Sequence, residues 1–587
     1  MVGRPPADIP PHLYPPMEAG EILLRRGLID QPQLDRLRAE VNGNGDGAKL
    51  LESATRMGLV SEEQSLKAVA GEIGIDYVDL TEIDPDLSLL KNFPSRLIHR
   101  QTIFPIRQEG RQLIVATSDP FDLYPLDEVA ASTGLFVVPV LAQRSEIARL
   151  IKKHLGVGSE TVDGLMAAAE PEDAIELLSG IESDGSELSN EAQEASVVRL
   201  VNEILMEAIE SRASDVHLES QPSGLCIRYR IDGLLQAQPA PPEINRFQAA
   251  IVSRLKIMAR LNIAEKRLPQ DGRMKLKVSG REIDVRVSVI PMIHGEGIVL
   301  RILDKGAMKF DLQALGMEPD TYKVWRNHLE MPHGIMLVTG PTGSGKTTTL
   351  YSSLLEINTP DVKIITTEDP VEYQLEGINQ IQVHTKIGLT FGASLRSILR
   401  HDPDVVLVGE IRDLETAENA IQASLTGHLV FSTLHTNDAA SAYTRLTDMG
   451  VEPFLVASTV EAVMAQRLVR RLCKTCKQPL DLGHEELPED FPRELLTGKT
   501  IYKPGACRDC RNLGYRGRLG IYEMLVTTNE IRQLANDRVS SWKISKAALE
   551  QGMLSLRQDG WRKVLAGHTS IEEVTRTAKA DLSILAR

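Results

Sequence analysis

Gly340-Pro341-Thr342-Gly343-Ser344-Gly345-Lys346-Thr347, with Thr348 directly behind it, fits the pattern G-x-x-x-x-G-K-S/T at every fixed position. The apolar run Ile335-Met336-Leu337-Val338 before it reads as a buried parallel strand, and Thr347 to Ile357 after it reads as a helix. Glycines at 340, 343 and 345 let the backbone wrap closely round a polyphosphate, with successive N–H groups and the helix N-terminus facing the anion. Lys346 is then placed to reach the β- and γ-phosphates, and the Thr347 hydroxyl to join a Mg²⁺ ion. A full match inside a strand–helix frame is specific, and ATP is the expected ligand.

The segments that follow repeat this frame. Ile364-Ile365-Thr366-Thr367, Val405-Val406-Leu407-Val408 and Leu429-Val430-Phe431-Ser432-Thr433 alternate with helical stretches, which predicts a parallel sheet covered on both faces. ATP hydrolysis needs a carboxylate at the metal, a group that activates water, and positive charge for the transition state. Glu410 leaves the strand Val405–Val408 as a Walker B carboxylate does. Glu368-Asp369-Pro370-Val371-Glu372 places three carboxylates at a strand's C-terminal end, where an α/β sheet holds its ligands, and one of them is expected to act as general base. His428 and His435 bracket the next strand and are read as γ-phosphate sensors.

Four of the five cysteines form two C-x-x-C pairs, Cys473/Cys476 and Cys507/Cys510. Such a set closes a tetrahedral Cys₄ zinc site with no open position for water, so the metal would be structural. The long gap between the pairs leaves an unmetallated thiol cluster as the alternative. Cys226, alone in a strand-like stretch, is expected to be a small core residue.

The 587 residues call for several domains. Residues 1–155 open with a proline-rich stretch to about residue 17. Two similar helical passages follow, 20–29 and 50–60, a repeat of about thirty residues, and then a small α/β unit. Residues 156–195 carry no Lys or Arg and read as an acidic tether, with a short helix allowed. Residues 196–304 read as an α+β sheet domain with turns at Asp232-Gly233, Asp271-Gly272 and Ser279-Gly280. Its many arginines are either solvated faces or phosphate contacts. Residues 305–587 form the phosphate-loop domain, including the Cys₄ part at about 470–515. A net charge of −15 and 4% aromatic residues argue against a nucleic-acid motor. The N-terminus lacks a signal-peptide core and no apolar run is long enough to span a bilayer, which points to the cytoplasm.

With these residues in view, the chain from about residue 196 resembles the secretion ATPases of the GspE/PulE group, the motors of type II secretion and type IV pilus assembly. The resemblance rests on Ala213-Ser214-Asp215-Val216-His217, Arg228-Tyr229-Arg230-Ile231-Asp232-Gly233, the phosphate loop, Glu368 to Glu372, Gly409-Glu410-Ile411-Arg412-Asp413, the histidine segment through His435, and the cysteine set. It implies a RecA-like motor domain preceded by the sheet domain and an N-terminal adaptor, assembled as a homohexamer with ATP, Mg²⁺ and Zn²⁺. By this resemblance Glu372 is the general base and Glu410 acts through Mg²⁺. Arg286, Arg301, Arg396, Arg400 and Arg412 lie near phosphate, with Arg516 a further candidate. It also implies GspF-like platform and GspL-like adaptor partners at the inner membrane, reached through the N-terminal domain, peripheral attachment only, and no nucleic acid. The segments Asp448–Leu455 and Gln466–Cys473 look closer to type II secretion than to pilus extension. The family's cyclic di-GMP motif R-L-G-x-x-L is incomplete here: no Arg–Leu precedes Gly20, and Leu51 stands where the second glycine belongs. A docking role is therefore expected for the N-terminal domain.

Overall fold

The computed structural model describes residues 19–40, 47–81, 102–122, 124–155, 175–177, 194–278, 280–304, 310–481 and 487–579, with short stretches between 83 and 98 and Gly306. The proline-rich start and most of the acidic tether lie outside the described residues. The chain divides into two compact units, Met1–Asp304 and Lys305–Arg587.

The first unit opens with the helical repeat. Helices Ala19–Arg25 and Gln31–Glu40 are joined as are Gly47–Arg56 and Glu62–Ile73. Each joint needs a left-handed residue, supplied by Gly27 (φ 68°) and Gly58 (φ 69°). The backbone bonds match across the copies: Leu28 N–H to Leu23 O in one, Leu59 N–H to Ala54 O in the other. Ile22, Leu34, Ala54 and Val69 form their shared core. Strands β1 (Ile103–Glu109), β2 (Gln112–Thr117) and β3 (Phe136–Leu141) follow, with β2 and β3 parallel across helix Tyr124–Thr133.

An antiparallel sheet comes next, built from β4 (Ile175–Leu177), β5 (Ala213–Gln221), β6 (Gly224–Ile231), β7 (Leu234–Gln238), β8 (Gln270–Val278), β9 (Arg281–Met292) and β10 (Gly295–Asp304). Its order is β4-β8-β9-β10-β5-β6-β7. β6 buries alternate residues, Leu225, Ile227, Tyr229 and Ile231, as a strand with one covered face must. Three expectations change here. Cys226 alternates with those residues, so it is half-buried on the opposite face rather than in the core. Asp271-Gly272 makes no turn but pairs with Ser288 and Val287 inside β8. The glycine is there for packing, since a Cβ would stand 2.6 Å from the Ala259 carbonyl oxygen. The described piece of the acidic tether is a strand rather than a helix, with Glu176 opposite Lys277 at the sheet edge.

The second unit carries β11 (Gly334–Thr339), β12 (Ile364–Glu368), β13 (Asn379–Gln382), β14 (Val405–Val408), β15 (Leu429–Leu434), β16 (Val460–Leu472) and β19 (Tyr515–Val526) in one sheet. The order is β13-β12-β14-β15-β11-β16-β19. Every pairing is parallel until the last, where β16 and β19 run antiparallel from Ala462↔Val526 to Leu472↔Tyr515. Alternate residues of β11 and β14 enter different cores, which is why these strands are mostly apolar. Ile335, Leu337, Val406 and Val408 pack with Ala417 and Ile421 of helix Leu414–Leu425. Met336, Val338, Val405 and Leu407 pack with Leu350, Leu354 and Trp325. A two-stranded hairpin, β17 (Gln478–Pro479) with β18 (Tyr502–Lys503), stands apart from this sheet.

Candidate functional site: a phosphate loop and a four-cysteine cluster

β11 delivers the loop at its C-terminal end. Gly340, Gly343 and Gly345 all take positive φ (150°, 80° and 91°), conformations that side chains other than glycine resist. Helix Lys346–Ile357 begins at Gly345 with no side-chain cap, so its first N–H groups stay available to an anion. Pro341, Thr342, Gly343 and Thr347 are exposed, while Ser344 is buried with its Oγ lacking a hydrogen-bond partner among the described residues. Lys346 folds back, its Nζ donating to the carbonyls of Gly340 (2.8 Å) and Pro341 (3.1 Å). Burial lowers the Lys346 pKa to about 8, partly countered by Glu410 and reinforced by Arg467.

This depression carries a sign. A phosphate chain binds the ammonium form, so at pH above about 8 nucleotide binding must take up a proton at Lys346. The affinity for Mg-ATP is therefore expected to fall as pH rises through that value. Calorimetry in two buffers of different ionisation enthalpy checks it. Net proton uptake at pH 9 and little at pH 7 is the expected result, and equal uptake at both would refute the assignment.

Glu410 is buried at the end of β14, with Oε1 2.5 Å from Arg412 and Oε2 3.3 Å from His435 Nε2. The sequence-selected Arg412 and His435 thus converge on this carboxylate. The Glu368–Glu372 segment separates into different roles. Glu368 is buried and accepts hydrogen bonds from Tyr351, Thr366 (2.6 Å) and Gln380 (3.1 Å), so it is a structural carboxylate rather than a free base. Glu372 stays half-buried, and its backbone N–H meets the Tyr351 hydroxyl at 3.4 Å. His428 does not join His435. It precedes β15, at the N-terminal end of that central strand, roughly 20 Å from His435 along the strand. There its Nδ1 lies 2.9 Å from Ala423 O at the end of helix Leu414–Leu425, a structural contact rather than a sensor.

The other arginines have partners of their own within their own units. Arg396 pairs with Glu415, and Arg400 donates to Arg396 O at 2.8 Å; both are exposed. Arg516 is exposed at the start of β19. In the first unit, Arg273, Arg286 and Arg301 sit side by side on β8, β9 and β10. Arg301 also binds Asp215 of β5 at 3.0 Å.

Two residues beside the loop were not picked out from sequence as part of the site. Gln466 is buried in β16 and accepts a hydrogen bond from Thr349 at 2.8 Å. Arg467 follows it, donating to Gln466 O (3.0 Å) and to Asn437 O (2.9 Å). The sequence signal for them is a polar pair that interrupts the otherwise mostly apolar run of β16.

The sulfurs of Cys473, Cys476, Cys507 and Cys510 all lie within 4.8 Å of one another. Three of their separations are 3.6–3.7 Å. A tetrahedron with arms of about 2.3 Å has edges of about 3.8 Å, so the set fits a tetrahedral thiophilic metal ion. Gly514 N–H donates to Cys510 Sγ at 3.2 Å, orienting a ligand from outside the cluster. The module is anchored by Phe491 and Ile501 against Trp561 and Val574, and by an Asp490–Arg557 pair at 2.5 Å.

Fold and site together define a P-loop ATPase, a class that uses ATP and Mg²⁺. The profile of the family described as "Type II/IV secretion system protein" matches residues 190–576, and that of the MshEN domain matches residues 73–161. The chain is 44% identical over 565 residues to the type II secretion system protein E of Xanthomonas campestris, covering 95% of this chain and 98% of that one. It is 40% identical over 565 residues to the type IV pilus assembly ATPase PilB of Myxococcus xanthus, covering 96% and 99%. Against the type II secretion system protein E of Pseudomonas aeruginosa it is 51% identical over 395 residues, covering 67% and 78%. The chain belongs to the Type II/IV secretion system protein family.

Proposed function

We propose that this chain is the motor of a type II secretion system, a homohexameric ATPase that drives assembly of a pseudopilus and so exports protein. The observation that carries the choice is a like-for-like comparison. Over the same length of 565 residues, identity is 44% to a type II secretion protein and 40% to a pilus assembly ATPase. Pilus extension is the second reading, supported by that 40%. Among the described residues no helix is long and apolar enough to cross a membrane. This agrees with peripheral attachment at the cytoplasmic face of the inner membrane, through residues 1–155 and GspF-like and GspL-like partners. In this reading Glu372 activates water, Glu410 acts through Mg²⁺, and His435 reports the γ-phosphate. The four cysteines hold zinc as a structural ion. Arg286, Arg301, Arg396, Arg400 and Arg412 supply positive charge to the phosphates. Arg396 and Arg400 are exposed, bonding only locally to Glu415 and to the Arg396 carbonyl among the described residues, which supports a site completed by a neighbouring subunit.

The test is ATP hydrolysis per subunit against protein concentration, compared with a forced hexamer. Arginines supplied across an interface contribute factors of about 10³ or more, so turnover should climb steeply with assembly. Concentration-independent turnover that single-stranded nucleic acid stimulates would replace this reading with that of a translocase.

A further inference from the structure

Two cations bracket one glycine of the loop. Lys346 Nζ lies 2.8 Å from the carbonyl oxygen of Gly340. On the same residue, a Cβ would stand 3.0 Å from a terminal nitrogen of Arg467. Arg467 reaches this spot because β16 runs parallel beside β11, with Ala465 opposite Thr339, so the next residues of β16 emerge where the loop begins. Its other contacts are carbonyl and amide oxygens, Gln466 O, Asn437 O and Asn437 Oδ1 (3.1 Å). Among the described residues no ion pair is formed by either cation. The carboxylates that Arg467 feels, Glu523 and Asp438, already accept backbone N–H groups of Ala439, Leu556 and Ser441. Two half-buried like charges at one residue, without an ion-paired carboxylate, make a site that a polyanion completes. The buried, unpartnered Ser344 hydroxyl adds a further polar group, 2.6 Å from the same Cβ position.

We propose that Arg467 is a phosphate-binding residue of this ATPase, a second cation supplied in cis with Lys346 to the nucleotide's phosphate chain. It rests on the reading of the loop as the ATP site. Its planar fork suits this task, because one edge holds Asn437 and the Gln466 carbonyl while the remaining N–H groups meet phosphate oxygens.

Equilibrium binding of Mg-ATP and of adenosine to the full chain, for wild type, Arg467→Gln and Arg467→Lys, tests the inference. Loss of one charge-assisted contact should weaken Mg-ATP about tenfold or more in Arg467→Gln and leave adenosine unchanged. Arg467→Lys, which keeps the charge and loses the fork, should weaken Mg-ATP by less than Arg467→Gln and leave adenosine unchanged. If Arg467→Gln folds poorly, unchanged Mg-ATP affinity in Arg467→Lys would overturn the proposal. Unchanged Mg-ATP affinity in Arg467→Gln, or equal losses for Mg-ATP and adenosine, would overturn the proposal. Failure of the wild type to bind Mg-ATP would instead strike the reading of the loop itself.

Discussion

Glu410→Gln should leave Mg-ATP bound and reduce hydrolysis at least about a hundredfold. The substitution keeps the size of the side chain at the end of β14 and removes only its charge. Glu410 is buried, and its two oxygens hold Arg412 and His435. A neutral amide there cannot balance Arg412 and, in the proposed reading, would serve Mg²⁺ less well, so the loss falls on the chemical step. The expected signature is a lower kcat with KM nearly unchanged, because ground-state binding rests on the loop and Lys346. Lys346→Ala should lose both terms. Undiminished hydrolysis by either purified variant would sink the assignment of this site.

The second large effect concerns the cysteines. Removing the metal, or replacing Cys473 by Ser, should unfold the segment from about 470 to 515 and lower the thermal transition of the motor unit. Structural zinc sites contribute about 10–16 kcal/mol of apparent binding energy to small domains, so the loss is not absorbed locally. Four sulfurs within 4.8 Å cannot all be thiolates without a cation between them. Loss of the ion would spread into the Phe491–Trp561 core and the Asp490–Arg557 pair that anchor the module. Elemental analysis of the folded wild type together with limited proteolysis checks this. Absence of zinc from well-folded protein would remove the structural-metal claim.

Much of the motor unit was legible in sequence because its signals are local. β11 and β14 are buried at every position and almost wholly apolar because both faces are covered, and a loop glycine must follow such a strand to wrap a phosphate. The cysteine pairs declare themselves by spacing. What was not legible depends on distant neighbours. That His428 and His435 stand at opposite ends of β15 follows from their bracketing it, but the bond from His428 to Ala423 O that makes it structural does not. Glu368 looked like its neighbours until Tyr351, seventeen residues earlier, proved to hold it. Asp271-Gly272 has the composition of a turn, but the Ala259 carbonyl makes it a packing position. The Gln466–Thr349 bond spans 117 residues, a distance that no sequence window covers.

The antiparallel ribbon of β16 and β19 gives the cysteine cluster a mechanical meaning. β16 is one strand of thirteen residues, touching the phosphate loop at Gln466 and Arg467 and ending one residue before Cys473. About 20 Å of paired backbone separates those points, with one irregularity, between Arg470 and Leu472. Paired strands bend far less readily than a loop, so the cysteine module sits at the end of a stiff arm whose other part touches the phosphate loop. Shortening that module is then not neutral trimming: it frees the far end of an arm that borders the nucleotide loop.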